Sequence, residues 1–250
     1  MKNSLKTYEF EHKIDKSKYI VGCDEVGVGE YFTNLTVCCT LFKIEEIEQE
    51  LIEQIVDSKI LNEIKLSRIA NQLKEKIIFE VISLDMDKYN DLINQGYNSH
   101  EIKAILYLKI LKKLAKNHFS NLKISQVFID GFVSSEKFFA YLQKIYNQFK
   151  TKPWNLKKYP IILAKKADEW LKQAGAASII AKDHLTSKML RREKKWKTKL
   201  PAGSNQIDKI VSYCILEIQK HGEDFLYNNV KYHFSITQKV LDKLNLKNKE

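Results

Sequence analysis

Acidic side chains stand at the ends of three short apolar runs of this sequence. Asp24 and Glu25 end the run that begins at Tyr19, Asp130 ends a second run, and Asp168 shortly follows a third. Apolar runs of this length predict strands, and α/β folds carry their functional sites at the carboxyl ends of strands. We therefore expect the four carboxylates to meet. Any one of them, taken alone, is more often a solvated loop residue or a helix N-cap.

Four clustered carboxylates favour one kind of chemistry. Their charges repel one another unless cations join them, and hard oxygen ligands select Mg²⁺ or Mn²⁺ over zinc. Two such ions about 4 Å apart can activate a water on one side of a phosphodiester and stabilise the leaving oxygen on the other. The acidic residues thus predict a phosphoryl-transfer site with two metal ions.

The elements that must position these carboxylates form an α/β pattern. Strands are predicted at residues 19–23, 35–42, 79–84, 127–129 and 160–164. Helical periodicity covers about 44–56, 65–77, 98–117 and 135–149, and then 174–189, 205–219 and 222–228. Ser204 is placed to cap the helix that follows it. The pattern predicts one α/β domain, in which helices flank a mixed five-stranded sheet and a helical cap lies at the carboxyl-terminal end.

The bulk composition excludes several classes of protein. Of the 250 residues, 44% are apolar and 29% are charged, which is the balance of a folded, soluble protein. No apolar run of about 18 residues and no export signal is present, so we expect a cytoplasmic protein without a membrane span. The cysteines lack metal-ligand spacing, which predicts reduced thiols and no zinc site; they are Cys23, Cys38, Cys39 and Cys214.

The net charge favours a polyanionic partner. Lys and Arg outnumber Asp and Glu by 42 to 31, which gives a formal charge of +11. A composition rich in Lys, Asn and Ile also arises from nucleotide bias in a genome, so charge alone does not decide the partner. The basic run from Arg191 to Lys199 around Trp196 fits a nucleic-acid backbone, but such a run is more often a solvated face.

The local sequence around the acidic residues is more specific than their positions. Residues 19–32, YIVGCDEVGVGEYF, strongly resemble the signature of type 2 ribonucleases H, and the acid and Tyr-Phe after the glycines resemble ribonuclease HIII more than HII. Further blocks follow in the order of that family: Asp57-Ser58-Lys59, Gly96-Tyr97-Asn98, Ile129-Asp130-Gly131-Phe132, Lys166-Ala167-Asp168, residues 176–182, residues 200–204 and His233-Phe234. The resemblance spans about residues 18–240.

The resemblance implies a ribonuclease H-like fold and a reaction. A protein of this kind is an endonuclease that hydrolyses the RNA strand of RNA·DNA hybrids and leaves 5′-phosphate and 3′-hydroxyl ends. Asp24, Glu25, Asp130 and Asp168 are implied to be the catalytic ligands of two Mg²⁺ or Mn²⁺ ions. We expect a monomer with residues 18–240 as its catalytic domain, after a polar lead at 1–17 and before a polar tail at 241–250.

The resemblance also implies a set of substrate-binding residues. They are Gly27, Val28, Gly29, Ser58, Lys59, Asn98, Ser178 and Lys182. The backbone of the first three approaches the ribose 2′-hydroxyls in this family, and glycine allows a close approach. A tight turn explains the two glycines equally well. Ser178 and Lys182 lie four apart on a predicted helix and therefore share a face. Lys182 suits a phosphate contact, whereas Ser178 fits a close-packing role as well as a substrate contact.

The sequence departs from the family in three places. Ribonuclease HIII usually carries an extra amino-terminal domain, which we do not expect here. Thr33-Asn34 stands where the family typically has Gly-Pro, and Val28 stands where HII has Arg. The departures at Val28 and Thr33-Asn34 motivate one alternative, a hybrid-binding protein with impaired catalysis.

A second alternative is HII-like cleavage at single ribonucleotides in DNA. In HII a tyrosine in the carboxyl-terminal part distorts the junction, and Tyr213, Tyr227 and Tyr232 are candidates by position. His233, next to Phe234, is interpreted as a packing residue rather than a catalytic base.

Overall fold

The computed structural model describes residues 14, 15, 17–201, 203 and 206–247. The chain forms two compact units. The first comprises Met1–Val26, Thr36–Ile82 and Lys103–His184, and the second comprises Gly27–Leu35, Ser83–Ile102 and Leu185–Glu250. Within the described residues, every helix is too short or too polar to cross a membrane.

One five-stranded sheet carries the candidate catalytic residues. Its strands are β1 (Tyr19–Val26), β2 (Thr36–Phe42), β3 (Ile78–Ser83), β4 (Ile124–Asp130) and β5 (Ile161–Ala164). Their order across the sheet is β3-β2-β1-β4-β5. β1 is antiparallel to β2 and parallel to β4, and β4 is parallel to β5. The carboxyl ends of β1, β4 and β5 therefore lie at the same edge of the sheet.

Ten α-helices are described, and a short 3-10 turn (Ile44–Glu46) precedes the first of them. They are α1 (Gln49–Gln54), α2 (Glu63–Lys76), α3 (Met86–Asn94), α4 (Ser99–His118), α5 (Ser135–Phe149), α6 (Ala167–Trp170), α7 (Lys172–Trp196), α8 (Ile207–His221), α9 (Asp224–Asn229) and α10 (Ser235–Lys247).

The first unit packs the start of α7 directly on β1. Gly22 allows this contact, because a Cβ atom at that position would lie 2.3 Å from the main-chain nitrogen of Ala174. The Thr40 hydroxyl donates to the main-chain oxygen of Gln173, and the Gln173 amide donates to the main-chain oxygen of Phe42. Both hydrogen bonds fix the helix against the sheet.

The second unit has its own apolar core, built mainly from Tyr31, Phe32 and residues of α8, α9 and α10. The half-buried Arg192 of α7 ties segments of this unit together. Its guanidinium donates to the main-chain oxygens of Phe32 and Asn229 and to the side-chain oxygen of Asn34. Burial lowers the pKa of Arg192 to about 10.

The predicted fold class is confirmed, and each predicted strand has its counterpart. The pattern missed α3, α6 and α10, and α10 continues through Lys247 into the predicted tail. Asp24 and Glu25 lie inside β1 rather than after it, because pairing with β2 extends to Val26↔Thr36. Ser204 lies outside the described residues, and α8 begins after Gln206.

The prediction that all cysteines are reduced was wrong for two of them. Cys23 and Cys39 stand directly opposite each other on β1 and β2, and their sulfurs form a disulfide. The antiparallel register brings their Cα atoms to 4.1 Å, although 16 residues separate them in the chain. Cys38 and Cys214 are buried free thiols.

Candidate active site

Asp24 is a buried carboxylate near the end of β1. Its relative exposure is 6%, and burial, followed by the charge of Glu25, raises its pKa well above the usual value. The hydrogen bond from Ser178 acts in the opposite direction. A nearby cation stabilises the ionised form of such a buried carboxylate.

A chain of polar contacts supports Asp24 from one side. The Ser178 hydroxyl on α7 is 2.9 Å from the Ser58 hydroxyl, and Lys182 Nζ donates to the main-chain oxygen of Ser58 at 2.8 Å. Ser58 and Ser178 are both buried. Three of the predicted substrate-binding residues thus contact one another next to Asp24, while Lys59 is exposed.

Glu25 is held by two residues of α4. Lys103 Nζ lies 2.7 Å from Glu25 Oε1, and the Tyr107 hydroxyl donates to Oε2. The ammonium of Lys103 also lies 3.7 Å from the centre of the Phe132 ring, which stacks on Tyr107. Successive strand residues point to opposite faces, so Asp24 meets α7 and Glu25 meets α4.

Sequence patterns gave no role to Lys103 or Tyr107. They lie four residues apart on a predicted helix and therefore share one face, which was the available signal. The relative exposure of the Lys103 side chain is 4%. A lysine this deeply buried requires a charged partner. That partner lies 78 residues away in the chain, so the local sequence cannot identify it.

Asp130 ends one strand, and Asp168 follows the neighbouring parallel strand β5. Asp130 ends β4, and its Oδ1 atom accepts a hydrogen bond of 2.7 Å from the main-chain nitrogen of Ala167. Lys166, at φ +56°, turns the chain after β5 so that Asp168 follows on α6. Burial is the largest effect that raises the pKa of Asp130 to about 6, and the charges of Asp168 and Glu25 add to it.

The donor set fits a hard divalent cation in its chemistry. All four side chains offer carboxylate oxygens, and the charges of Glu25 and Asp130 both raise the pKa of Asp24. As the side chains stand, no group of three His, Cys, Asp or Glu among the described residues encloses a metal position.

The glycine-rich segment after β1 belongs to the second unit. Gly27 has φ +78°, and a Cβ atom there would lie 2.3 Å from the main-chain oxygen of Asn34. A Cβ atom at Gly29 would meet nothing within 4 Å. Thr33 and Asn34, which depart from the family pattern, both form hydrogen bonds: Thr33 to the oxygens of Gly27 and Glu30, and Asn34 to that of Leu84.

The remaining candidates have structural partners. Asn98 accepts hydrogen bonds from the main-chain nitrogens of His100 and Glu101 and so caps α4. The ring of His233 packs against Tyr89 and Phe234, as expected for a packing residue. In the basic run Arg192 is half-buried, whereas the other cations are exposed: Arg191, Lys194, Lys195, Lys197 and Lys199.

Comparison with known proteins decides the family. The family model described as Ribonuclease HII matches residues 21–237. The chain belongs to the ribonuclease HII family. This confirms the resemblance seen in the sequence and makes the protein a metal-dependent ribonuclease H.

Two relatives of this ribonuclease H are named ribonuclease HIII. That of Ureaplasma parvum is 30% identical over 243 residues, which cover 96% of this chain and 72% of the relative. That of Phytoplasma mali is 32% identical over 227 residues, with coverage of 88% and 72%.

Solved structures show the same fold. Bst-RNase HIII in complex with Mn²⁺ superposes with a TM-score of 0.80 at 27% identity, over 91% of this chain and 70% of that one. Ribonuclease H2 of Pyrococcus horikoshii has a TM-score of 0.66 at 18% identity, over 91% and 99% of the two chains, and supports the fold alone.

Proposed function

We propose that this protein hydrolyses the RNA strand of RNA·DNA hybrids, with Asp24, Glu25, Asp130 and Asp168 as ligands of two Mg²⁺ or Mn²⁺ ions. The products carry 5′-phosphate and 3′-hydroxyl ends. The observation that carries the proposal is the position of Asp24. It is buried near the end of β1, next to the strand that ends in Asp130, in a chain that the ribonuclease HII model matches over residues 21–237.

The protein's own residues prepare the carboxylates for this role. The two ions, when bound, supply an activated water and stabilise the leaving oxygen. The hydrogen bond from Ser178 orients Asp24, and that from the Ala167 nitrogen orients Asp130. Partners of this kind hold ligating carboxylates in place and tune their affinity. Lys103 and Tyr107 hold Glu25 in the metal-free protein.

The substrate-binding residues divide by exposure. Gly27, Val28 and Gly29 offer main chain to the ribose 2′-hydroxyls, and the open space at the Cβ position of Gly29 suits a close approach. Lys59 and Asn98 are exposed and suited to phosphate, and Lys182 is half-buried. Ser58 and Ser178 are buried, so they act on the nucleic-acid backbone only through neighbouring residues. The net charge of +11 strengthens any phosphate contact.

The test uses a hybrid with a labelled RNA strand, incubated with the protein in Mg²⁺ and in Mn²⁺. Asp24→Asn removes the negative charge of one proposed metal ligand and leaves the basic surface unchanged. Because a metal contributes several kcal/mol to the transition state, we expect turnover to fall at least about a thousandfold while hybrid binding persists. Asp208→Asn, at an exposed aspartate of α8, is the matched control and retains full activity.

Each contrary result has a distinct meaning. Binding without turnover in either metal would favour a hybrid-binding protein with impaired catalysis. A DNA duplex that contains one ribonucleotide, cut as fast as the hybrid, would favour HII-like cleavage. Undiminished cleavage by Asp24→Asn would contradict the proposed set of metal ligands. A cytoplasmic location and a monomeric state stay predictions of the sequence.

A further inference from the structure

Lys231 lies two residues after the end of α9 and is a buried cation of the second unit. Its relative exposure is 0%, and its Nζ atom donates to the main-chain oxygens of Gly27 and Glu30, the latter at 2.7 Å. The ammonium lies 5.6 Å from the ring centre of Phe234 and 5.9 Å from that of Tyr89. Burial lowers the pKa of Lys231 to about 7. A buried amine is expensive, so its hydrogen bonds must offset the loss of water.

The same two carbonyl oxygens have a second donor. The Thr33 hydroxyl lies 3.2 Å from the oxygen of Gly27 and 3.2 Å from that of Glu30. The main-chain nitrogen of Lys231 also donates to the oxygen of Tyr31 at 2.9 Å. The turn formed by residues 27–33 is thus pinned at three carbonyl groups by two side chains and one main-chain nitrogen.

This pinning fixes the directions of peptide groups. No cis peptide bond is found among the described residues, and in a trans peptide the N–H points opposite to the C=O. Since the Gly27 oxygen faces Lys231, the N–H of Val28 faces away from it. In the same way, the Glu30 oxygen faces Lys231, so the N–H of Tyr31 in that peptide group faces away from Lys231. Val28 contributes this donor whatever its side chain is.

We propose that Lys231 is a positioning residue for ribose recognition, which holds the Gly27 and Glu30 carbonyls so that the N–H of Val28 is presented to a ribose 2′-hydroxyl. The inference rests on the proposed function, in which residues 27–29 approach the RNA strand. The chemical group recognised is the 2′-hydroxyl oxygen, which a DNA strand lacks. Lys231 therefore acts on the preference for RNA through the main chain, without touching the substrate.

The experiment compares Lys231→Met with the matched control Lys239→Met. Methionine keeps the length and apolar character of the side chain and removes the donors, whereas Lys239 is exposed on α10. Both are placed in the Asp24→Asn background, and binding is measured for an RNA·DNA hybrid and a DNA duplex of one sequence. We expect Lys231→Met to lower the ratio of hybrid to DNA affinity about tenfold to a hundredfold, and Lys239→Met to leave it unchanged.

A second measurement separates positioning from general damage. With Asp24 intact, Lys231→Met is expected to raise KM for the hybrid more than it lowers kcat and to leave Mn²⁺ affinity unchanged. A folded Lys231→Met protein with the full preference for the hybrid would overturn the inference. A parent protein that binds hybrid and DNA equally would also overturn the inference, whereas a parent protein that leaves the hybrid uncut in both Mg²⁺ and Mn²⁺ would overturn the proposed function.

Thr33→Val covers the case in which Lys231→Met does not fold. It removes the other donor to the same two oxygens and leaves Lys231 in place. We expect a shift of the hybrid-to-DNA affinity ratio in the same direction and of smaller size. An unchanged ratio in Thr33→Val, together with an unfolded Lys231→Met, would also contradict the inference.

Discussion

Lys103 and Glu25 form an ion pair of 2.7 Å whose side chains are only 4% and 11% exposed. The pair compensates the charge of Glu25 in the metal-free protein, at the position where the proposed ions would also bind. If Glu25 is a metal ligand as proposed, a divalent cation and Lys103 compete for its carboxylate. Metal binding then exchanges one partner of Glu25 for another.

Replacing Lys103 with methionine tests this exchange. The change leaves Glu25 buried without its cation, so we expect the metal-free protein to lose about 3–5 kcal/mol of its free energy of unfolding. Because the competitor is gone, the rise in melting temperature on adding Mn²⁺ should exceed that of the parent protein. Differential scanning fluorimetry with and without Mn²⁺ measures both effects.

The control for this prediction is Lys113→Met on the same helix. Lys113 pairs with Glu80 at 2.7 Å, but its side chain is 59% exposed. We expect a loss of less than about 1 kcal/mol and an unchanged response to Mn²⁺. Equal behaviour of the two variants would rule out a special role for Lys103.

Asp130 predicts how the stability of the metal-free protein depends on pH. Its pKa is about 6 in the folded protein, above the ordinary value of 3.8, and burial is the main cause. The folded state therefore holds this proton more tightly than the unfolded chain. The resulting stabilisation is complete below pH 3.8 and is lost as the pH rises through 6.

Melting temperatures in EDTA between pH 4 and 8 check this sign. Asp130→Asn cannot lose the proton, so its melting temperature should fall less than that of the parent protein over this range. The difference should amount to a few degrees, at about 2–4 °C for each kcal/mol in a chain of this size. Parallel curves would show that Asp130 does not titrate near pH 6. Mn²⁺ should bind more tightly above pH 6, where the carboxylate is ionised.

Gly27 and Gly29 should respond differently to alanine. At Gly27 the positive φ and the Asn34 oxygen at 2.3 Å both oppose a Cβ atom, so Gly27→Ala should cost at least about 1–2 kcal/mol of stability. At Gly29 the space is open, and Gly29→Ala should change stability by less than about 0.5 kcal/mol. Urea unfolding measures the costs. If residues 27–29 approach the ribose, hybrid binding should nevertheless weaken in Gly29→Ala.

The disulfide between Cys23 and Cys39 predicts a simple thiol count. Protein prepared without reductant and then denatured should show two reactive thiols, those of Cys38 and Cys214. Prior reduction should raise the count to four. Four thiols without reduction would contradict the bond, and a Cys214→Ser variant that lowers each count by one serves as the control.

The sequence predicted what depends on local pattern. Apolar runs located each strand, and the acidic residues at their ends followed from the rule that sites form at the carboxyl ends of parallel strands. The resemblance then assigned a chemistry to Asp24 and its partners. Helix α3 was missed because Met86–Asn94 spans only 9 residues, which is short for a periodic pattern.

Contacts between distant residues could not be predicted in this way. Lys103 meets Glu25 across 78 residues, and Lys231 meets Gly27 across 204. Arg192 looked like one more exposed cation of a basic run, yet it is half-buried and donates to the main-chain oxygen of Phe32. The Cys23–Cys39 bond depends on strand register, which a list of cysteine spacings does not contain.

The opposite directions of Asp24 and Glu25 on β1 have a consequence for assembly of the protein. Asp24 is completed by α7 on one face of the sheet and Glu25 by α4 on the other. A folding intermediate that has docked only one of these helices has only half of the ligand support. If both carboxylates ligate Mn²⁺ as proposed, tight Mn²⁺ uptake would therefore require that both helices have docked on the sheet.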